Sequence, residues 1–193
     1  MNGSDAGTNW LEAIRNKNAI TTSHSINLAG GSDYSKFSTG ISYMKQEGTL
    51  GKPAASDYSR FTVRMNSEHI LWREGDLDII TFGENLYYNH NQRSGIYTNG
   101  QYSNNISEML RANPLIPVYN EDGEYYGYDD LSSAGWFGYN PYSTNPIAKM
   151  TYTDQGNNLS KNYSLNMVGY IKIQPIKGLT YKGQVSYKQS SNS

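Results

Sequence analysis

The chain has 193 residues, 36% hydrophobic, with 18 Tyr against 4 Phe, no Cys and a formal net charge of −1. The missing cysteines exclude disulfide frameworks, thiolate metal sites and cysteine nucleophiles, and the near-neutral charge leaves no electrostatic footprint for nucleic acid. No apolar run reaches the roughly 18–20 residues of a membrane-spanning helix, whereas a membrane β-strand needs only alternation.

Residues 8–15 read as one short helix. Thr8 or Asn9 is available as cap, and Trp10, Ala13 and Ile14 share a face. The first strand is predicted over residues 19–29, with Ile20, Thr22, His24, Ile26 and Leu28 on one side. Gly30-Gly31-Ser32-Asp33 follows as a tight turn in which glycine supplies positive φ. In the second strand Phe37, Thr39, Ile41 and Tyr43 alternate with Lys36, Ser38, Gly40 and Ser42. A loop with Gly51, Pro53 and Asp57 leads to a third strand over residues 59–66. There Phe61, Val63 and Met65 oppose Thr62, Arg64 and Asn66.

A turn around residues 72–76 opens a fourth strand over 77–89, whose apolar face carries Ile80, Phe82, Leu86 and Tyr88. Glu84 falls on that same face and has no account in the sequence. Residues 91–161 break the rhythm and hold Pro114, Pro117, Pro141 and Pro146, a length uncommon for a connection unless it is functional or disordered. Alternation resumes over 162–173 with Tyr163, Leu165, Met167, Ile171 and Ile173 outward. Pro175-Ile176-Lys177-Gly178 is a predicted turn, and a last strand runs over 179–188.

These elements predict an all-β fold: an antiparallel up-and-down meander of about six strands. Short turns alternate with long loops, and a polar face rich in Ser, Asn, Gly, Lys and Gln backs an apolar one. This suits an open segment of a large transmembrane β-barrel with water inside and lipid outside. Phe37, Ile41, Phe61, Val63, Phe82, Leu86, Leu165, Ile171, Tyr181 and Val185 are expected on one face. Lys36, Ser42, Thr62, Arg64, Asn85, Asn166, Lys172, Lys182 and Gln184 are expected on the other. Both edge strands should be open. The competing architecture is a soluble carbohydrate-binding β-sandwich, in which the same apolar residues would be packed between two sheets.

Particular wording sharpens this reading. His24-Ser25-Ile26-Asn27-Leu28-Ala29-Gly30-Gly31-Ser32, Gly40-Ile41-Ser42-Tyr43, Gln46-Glu47-Gly48 and the run from Tyr58 to Asn66 follow one another in order. Arg111-Ala112-Asn113-Pro114, the run from Pro117 to Gly123, Asn145-Pro146-Ile147-Ala148 and Pro175-Ile176-Lys177-Gly178-Leu179 come after them. Together with Trp10 they resemble the barrel of SusC/RagA-type TonB-dependent outer-membrane transporters, along nearly the whole chain.

The resemblance implies one barrel domain. It comprises a lead-in at 1–18, four strands at 19–90, a long extracellular loop at 91–161 and two strands at 162–193. Complete members of the family carry a signal peptide, a TonB-contacting segment, a plug and a barrel of about twenty-two strands. None of the first three is visible, so the chain is expected to be an internal piece of the barrel, with Met1 an artefact of truncation. The parent would import glycans, or peptides, through the Gram-negative outer membrane. Its implied partners are outer-membrane lipid, a SusD-like lipoprotein lid and the TonB complex.

No enzyme is expected. His24, His69 and His90 show no paired ligand spacing. Substrate or partner contact falls to the long loop, where Tyr119, Tyr125, Tyr126, Tyr128, Trp136, Phe137, Tyr139 and Tyr142 cluster around glycines. Such rings pack on the C–H faces of sugars, or equally on one another within a compact loop. Glu121, Asp122, Glu124, Asp129 and Asp130 form an acidic patch that suits a solvated loop better than Ca²⁺, since the spacing is not that of an EF-hand. No cofactor is expected otherwise.

Overall fold

The computed structural model describes residues 7–54, 56–98, 104–135, 145–152 and 159–193. Its order is α1 (Trp10–Ala13), β1 (Thr21–Gly31), β2 (Ser35–Glu47), β3 (Asp57–Glu74), β4 (Leu77–Ser94), α2 (Asn105–Arg111), α3 (Tyr128–Ser133), α4 (Pro146–Tyr152), β5 (Leu159–Ile176) and β6 (Leu179–Asn192). The six strands form one sheet in the order β1-β2-β3-β4-β5-β6, with β1 and β6 at its edges. No second sheet faces it among the described residues, so the sandwich alternative is overturned. Phe37, Ile41, Ile171 and Val185 are 43%, 48%, 46% and 78% exposed, not packed between layers.

Cross-strand contacts fix the faces. Along β5 and β6, Ile173 pairs with Tyr181 and Met167 with Tyr187 on one side; Asn166 pairs with Lys188 and Tyr170 with Gln184 on the other. Phe61 meets Tyr88 edge-on at 6.4 Å on the apolar side. Thr62 donates to Asn89 (3.4 Å), Asn66 to Ser38 (3.3 Å) and Asn162 to Asn91 (3.1 Å) on the polar side. The expected division of residues between the faces therefore holds from β2 to β6.

Several local expectations are corrected. Neither Gly30 nor Gly31 has positive φ, and β1 runs through both. They are needed for their missing side chains: a Cβ on Gly30 would stand 3.0 Å from the Phe37 ring, and one on Gly31 would meet the Ser35 carbonyl at 2.6 Å. β3 continues past Asn66 to Glu74, because Ser67 and His69 on the apolar side erase the alternation without breaking the backbone ladder. The turn that follows uses Gly75, at φ 58°. β5 continues through Pro175 to Ile176, with a register shift between Ile173 and Ile176 where proline has no N–H to donate.

Glu84 acquires partners that its sequence position did not suggest. Ser67 Oγ donates to Glu84 Oε1 (3.1 Å), His69 Nε2 lies 3.1 Å from Ser67 Oγ, and Ser35 Oγ lies 2.8 Å from His69 Nδ1. With a neutral imidazole, one arrangement gives each contact its hydrogen: Ser35 to Nδ1, Nε2–H to Ser67, and Ser67 to the carboxylate. A polar chain thus crosses three strands of the apolar face.

The residues separate into two compact units: one of Met1–Ile20, Gln46–Tyr58 and Arg93–Leu159, the other of Thr21–Lys45, Ser59–Gln92 and Ser160–Ser193. The second is the body of the sheet. The first contains the hydrophobic core, made of Trp10, Ile14, Ala54, Ile96, Met109, Ile116, Leu131, Ile147 and Met150. The connection between β4 and β5 is accordingly not a structureless loop. It carries α2, α3 and α4, each too short to stand without packing.

Asn9 caps α1 by accepting from Glu12 N (3.1 Å). Trp10 and Ile14 are buried, while Ala13, on the same predicted face, is exposed. Asn145 is 6% exposed and organises the start of α4. Its Oδ1 accepts from Ile147 N and Ala148 N (3.1 Å each), and its Nδ2 donates to Val118 O (2.9 Å) and Tyr126 O (3.3 Å), ahead of Pro146 as the first helical residue. Asn145→Ala removes the cap and the amide donor to the Tyr126 carbonyl, while Val118 O keeps its bond from Tyr126 N. We expect it to cost about 2–4 kcal/mol of this unit's stability, read as earlier loss of the near-ultraviolet tyrosine and tryptophan signal on urea titration.

Candidate ligand-contact surfaces

Within the first unit, the chain from Tyr119 to Tyr125 doubles back, and the two tyrosines form a bridge pair. Asn120 makes this turn: its Oδ1 accepts from Asp122 N (3.1 Å) and Glu124 N (2.9 Å), and Gly123 takes φ 82°. The Tyr119 and Tyr125 rings are stacked at 5.2 Å, and Tyr152 meets Tyr125 edge-on at 5.5 Å. Tyr125 Oη lies 3.3 Å from Thr151 Oγ1, and Tyr126 Oη donates to Asp130 O. Tyr125 and Tyr126 pack against the core, while Tyr119 and Tyr152 stay 51% and 77% exposed. The cluster is thus anchored at one end and open at the other. Tyr152 lies beyond the glycine-rich stretch, and no local spacing in the sequence joins it to Tyr125.

The other predicted aromatics are not all in reach. Tyr128 begins α3, and Trp136, Phe137, Tyr139 and Tyr142 lie outside the described residues. Of the acidic group, Glu121, Asp122, Glu124 and Asp129 are exposed. Asp130 is engaged structurally, accepting from Gly127 N (2.7 Å) and Asn120 Nδ2 (3.3 Å). Among the described residues no three His, Asp or Glu side chains are gathered as a metal would need.

Burial first, then the neighbouring Tyr125, pushes the Tyr119 phenol above its ordinary value of 10.0. A phenol raised on folding loses its proton later than in the unfolded chain. Stability therefore falls as pH climbs past the unfolded value towards the folded one. Tyr119→Phe should flatten that alkaline decline, measured as the pH dependence of the urea midpoint between about pH 9 and 11.

The sheet offers a second surface on its polar face. Glu68 accepts from Tyr170 Oη (2.8 Å) and Lys172 Nζ (2.6 Å). Lys182 Nζ stands 4.4 Å and Lys172 Nζ 5.3 Å from the centre of the Tyr170 ring. The ring lies against Gly83, where a Cβ would come within 2.1 Å of it. Arg64 lies over Tyr87 at 5.8 Å. Beside it a shallow hollow of about 200 Å³ is lined by Asn27, Ser38, Gly40, Arg64 and Asn66, among others.

Comparison with known proteins bears on the fold. No protein-family profile matches the chain. The TonB-dependent receptor P26 of Formosa agariphila is 27% identical over 153 residues, covering 78% of the chain. The RagAB peptide importer in an open-open state aligns over 98% of the chain with a TM-score of 0.70 and 23% identity. The chain is similar to a stretch of a SusC/RagA-type TonB-dependent transporter barrel. A second RagAB peptide transporter structure aligns over 97% with a TM-score of 0.66 and 22% identity. The chain spans 13% of the Formosa receptor and 19% of each RagAB chain. The resemblance read from the ordered motifs thus stands, as does the open meander. Those motifs prove to be structural: Asn113 accepts from the Trp10 indole (3.0 Å), Pro114 O from Thr8 N (2.7 Å), and Asn145 caps α4.

Proposed function

We propose that this chain forms part of the barrel wall of an outer-membrane TonB-dependent transporter importing oligosaccharides, with a SusD-like lipoprotein on the extracellular side and TonB as the energy source. The observation that carries this reading is the single sheet whose apolar face lies open. A six-stranded sheet exposing Ile26, Phe37, Ile41, Met167, Ile171, Tyr181 and Val185 in one plane is unfavourable in water and suited to lipid. The polar face then borders the lumen, and the Tyr119–Tyr125–Tyr152 cluster belongs to a solute-contacting or partner-contacting loop. Peptides are the alternative cargo, because the solved neighbours are described as a peptide importer and a peptide transporter.

The chain has no cysteine, which allows single nitroxide labels in lipid nanodiscs. Labels at Ile171→Cys and Val185→Cys should relax with oxygen, and labels at Asn166→Cys and Gln184→Cys with a water-soluble nickel chelate. Equal nickel accessibility on both faces would sink the membrane reading.

A further inference from the structure

The polar face is electropositive although the chain as a whole carries −1. Lys36, Arg60, Arg64, Lys172, Lys182 and Lys188 fall on it by alternation and pairing. Between the strand ends, Glu68 is the one acid on that face among the described residues; Arg93 and Glu74 stand at the ends. The other acids among the described residues fall in the first unit, in the turns, near the strand ends or, for Glu84, on the opposite face.

The charge is concentrated where a fold by itself would avoid it. Lys172 and Lys182 are direct cross-strand partners, a like-charge juxtaposition that lowers sheet stability. Tyr170 presents its ring to both ammoniums, and Glu68 bonds one of them. Lys36 stands opposite Glu68 in the β2–β3 register, two residues along from the bond of Ile70 N to Tyr34 O. One carboxylate therefore stands against three lysines, and the excess positive charge is held on a rigid strand pair beside a seated ring. Across the same face Asn27, Ser38, Asn66, Asn85, Asn166 and Gln184 supply amides and hydroxyls. An amide offers a donor and an acceptor to neighbouring hydroxyl groups, which suits a polyhydroxylated guest.

The geometry points to an anion-binding subsite at Lys36, Lys172, Lys182 and Tyr170 that receives the carboxylate or sulfate groups of an acidic oligosaccharide. This rests on the proposed placement of the polar face in the lumen, and it names the class of solute that would pass. A cationic wall concentrates anionic solutes, and its attraction is screened by salt.

The test uses the full chain in detergent micelles, titrated calorimetrically with a hexameric oligouronate, a neutral glucose hexamer and hexaglutamate. The oligouronate should bind, weakening as salt rises from about 50 to 500 mM. Lys182→Gln and Lys36→Gln should each weaken it about fivefold, and Lys177→Gln in the β5–β6 turn should leave it unchanged. Circular dichroism checks that each variant keeps its sheet. No oligouronate binding, salt-insensitive binding, equal affinity for the neutral hexamer, or lysine variants that bind like the parent would each overturn the subsite. Hexaglutamate bound as tightly as the oligouronate would overturn the assignment to sugars. The nitroxide pattern reports independently: if it holds and the oligouronate fails, the subsite falls and the barrel reading stands.

Discussion

Gly83→Ala should unseat Tyr170 and weaken the seam between β4 and β5. The added methyl group would sit 2.1 Å from the ring's Cζ and 2.3 Å from its oxygen, so the ring must swing away. In doing so it gives up its bond to Glu68 and its place beneath the Lys182 ammonium. Overpacking of this kind costs about 1–3 kcal/mol. The alanine recovers part of that by restricting the unfolded chain, at most about 1 kcal/mol. Gly169→Ala is the control, since nothing stands within 4 Å of a Cβ built there, and it should be neutral or slightly stabilising. The readout is the urea midpoint in micelles. Equal midpoints for the two alanines would mean that the ring's seat contributes nothing.

Trp10→Ala should collapse the first unit's core while leaving the sheet's spectrum in place. The indole is 3% exposed, donates to Asn113 O at 3.0 Å, and belongs to the same cluster as Ile14, Met109 and Ile116. Removing a buried tryptophan costs about 3–5 kcal/mol, more than so small a core can absorb. Limited proteolysis should then cut within residues 95–158 at protease concentrations that spare the parent, with far-ultraviolet strand signal retained. Trp10→Phe, which keeps most of the volume and loses the hydrogen bond, should fall between the two. Cleavage unchanged in Trp10→Ala would show that the cluster does not hold this segment together.

The sheet was legible in the sequence wherever period-two alternation ran unbroken, as in Lys36 to Tyr43 and Tyr163 to Ile173. Facing assignments followed, because parity propagates through every antiparallel pair. What escaped was decided by contacts distant in sequence. β3 seemed to stop at Asn66 because Ser67 and His69 put polar groups on the apolar face, and the partners that satisfy them, Glu84 and Ser35, lie on other strands. The Gly30-Gly31 pair looked like turn chemistry, yet its use is steric, and only the position of Phe37 and Ser35 reveals that. In the long connection, prolines and glycines masked three helices whose packing depends on Trp10 and Ile14, about a hundred residues away. Of the candidate contact residues, Tyr119, Tyr125 and Tyr126 come together, but the grouping of Glu68, Tyr170 and Lys182 on the polar face was not legible, although Lys182 was expected on that face. Its members lie on three strands, and no local spacing joins them.

The helices inside the β4–β5 connection bear on the order in which the sheet assembles. β3 and β4 close through Gly75 and Asp76, whereas β4 and β5 meet only after residues 95–158 are looped out. Loop-closure entropy grows by about 0.6 kcal/mol per doubling of length, so this seam carries about 3 kcal/mol that the short turns do not. The three hairpins are local and need no such closure. Packing α2, α3 and α4 shortens the free path between the strands before they pair. The unit that holds the hydrophobic core is then also the clamp that makes a long-range strand junction affordable, and β5–β6 would join the sheet last.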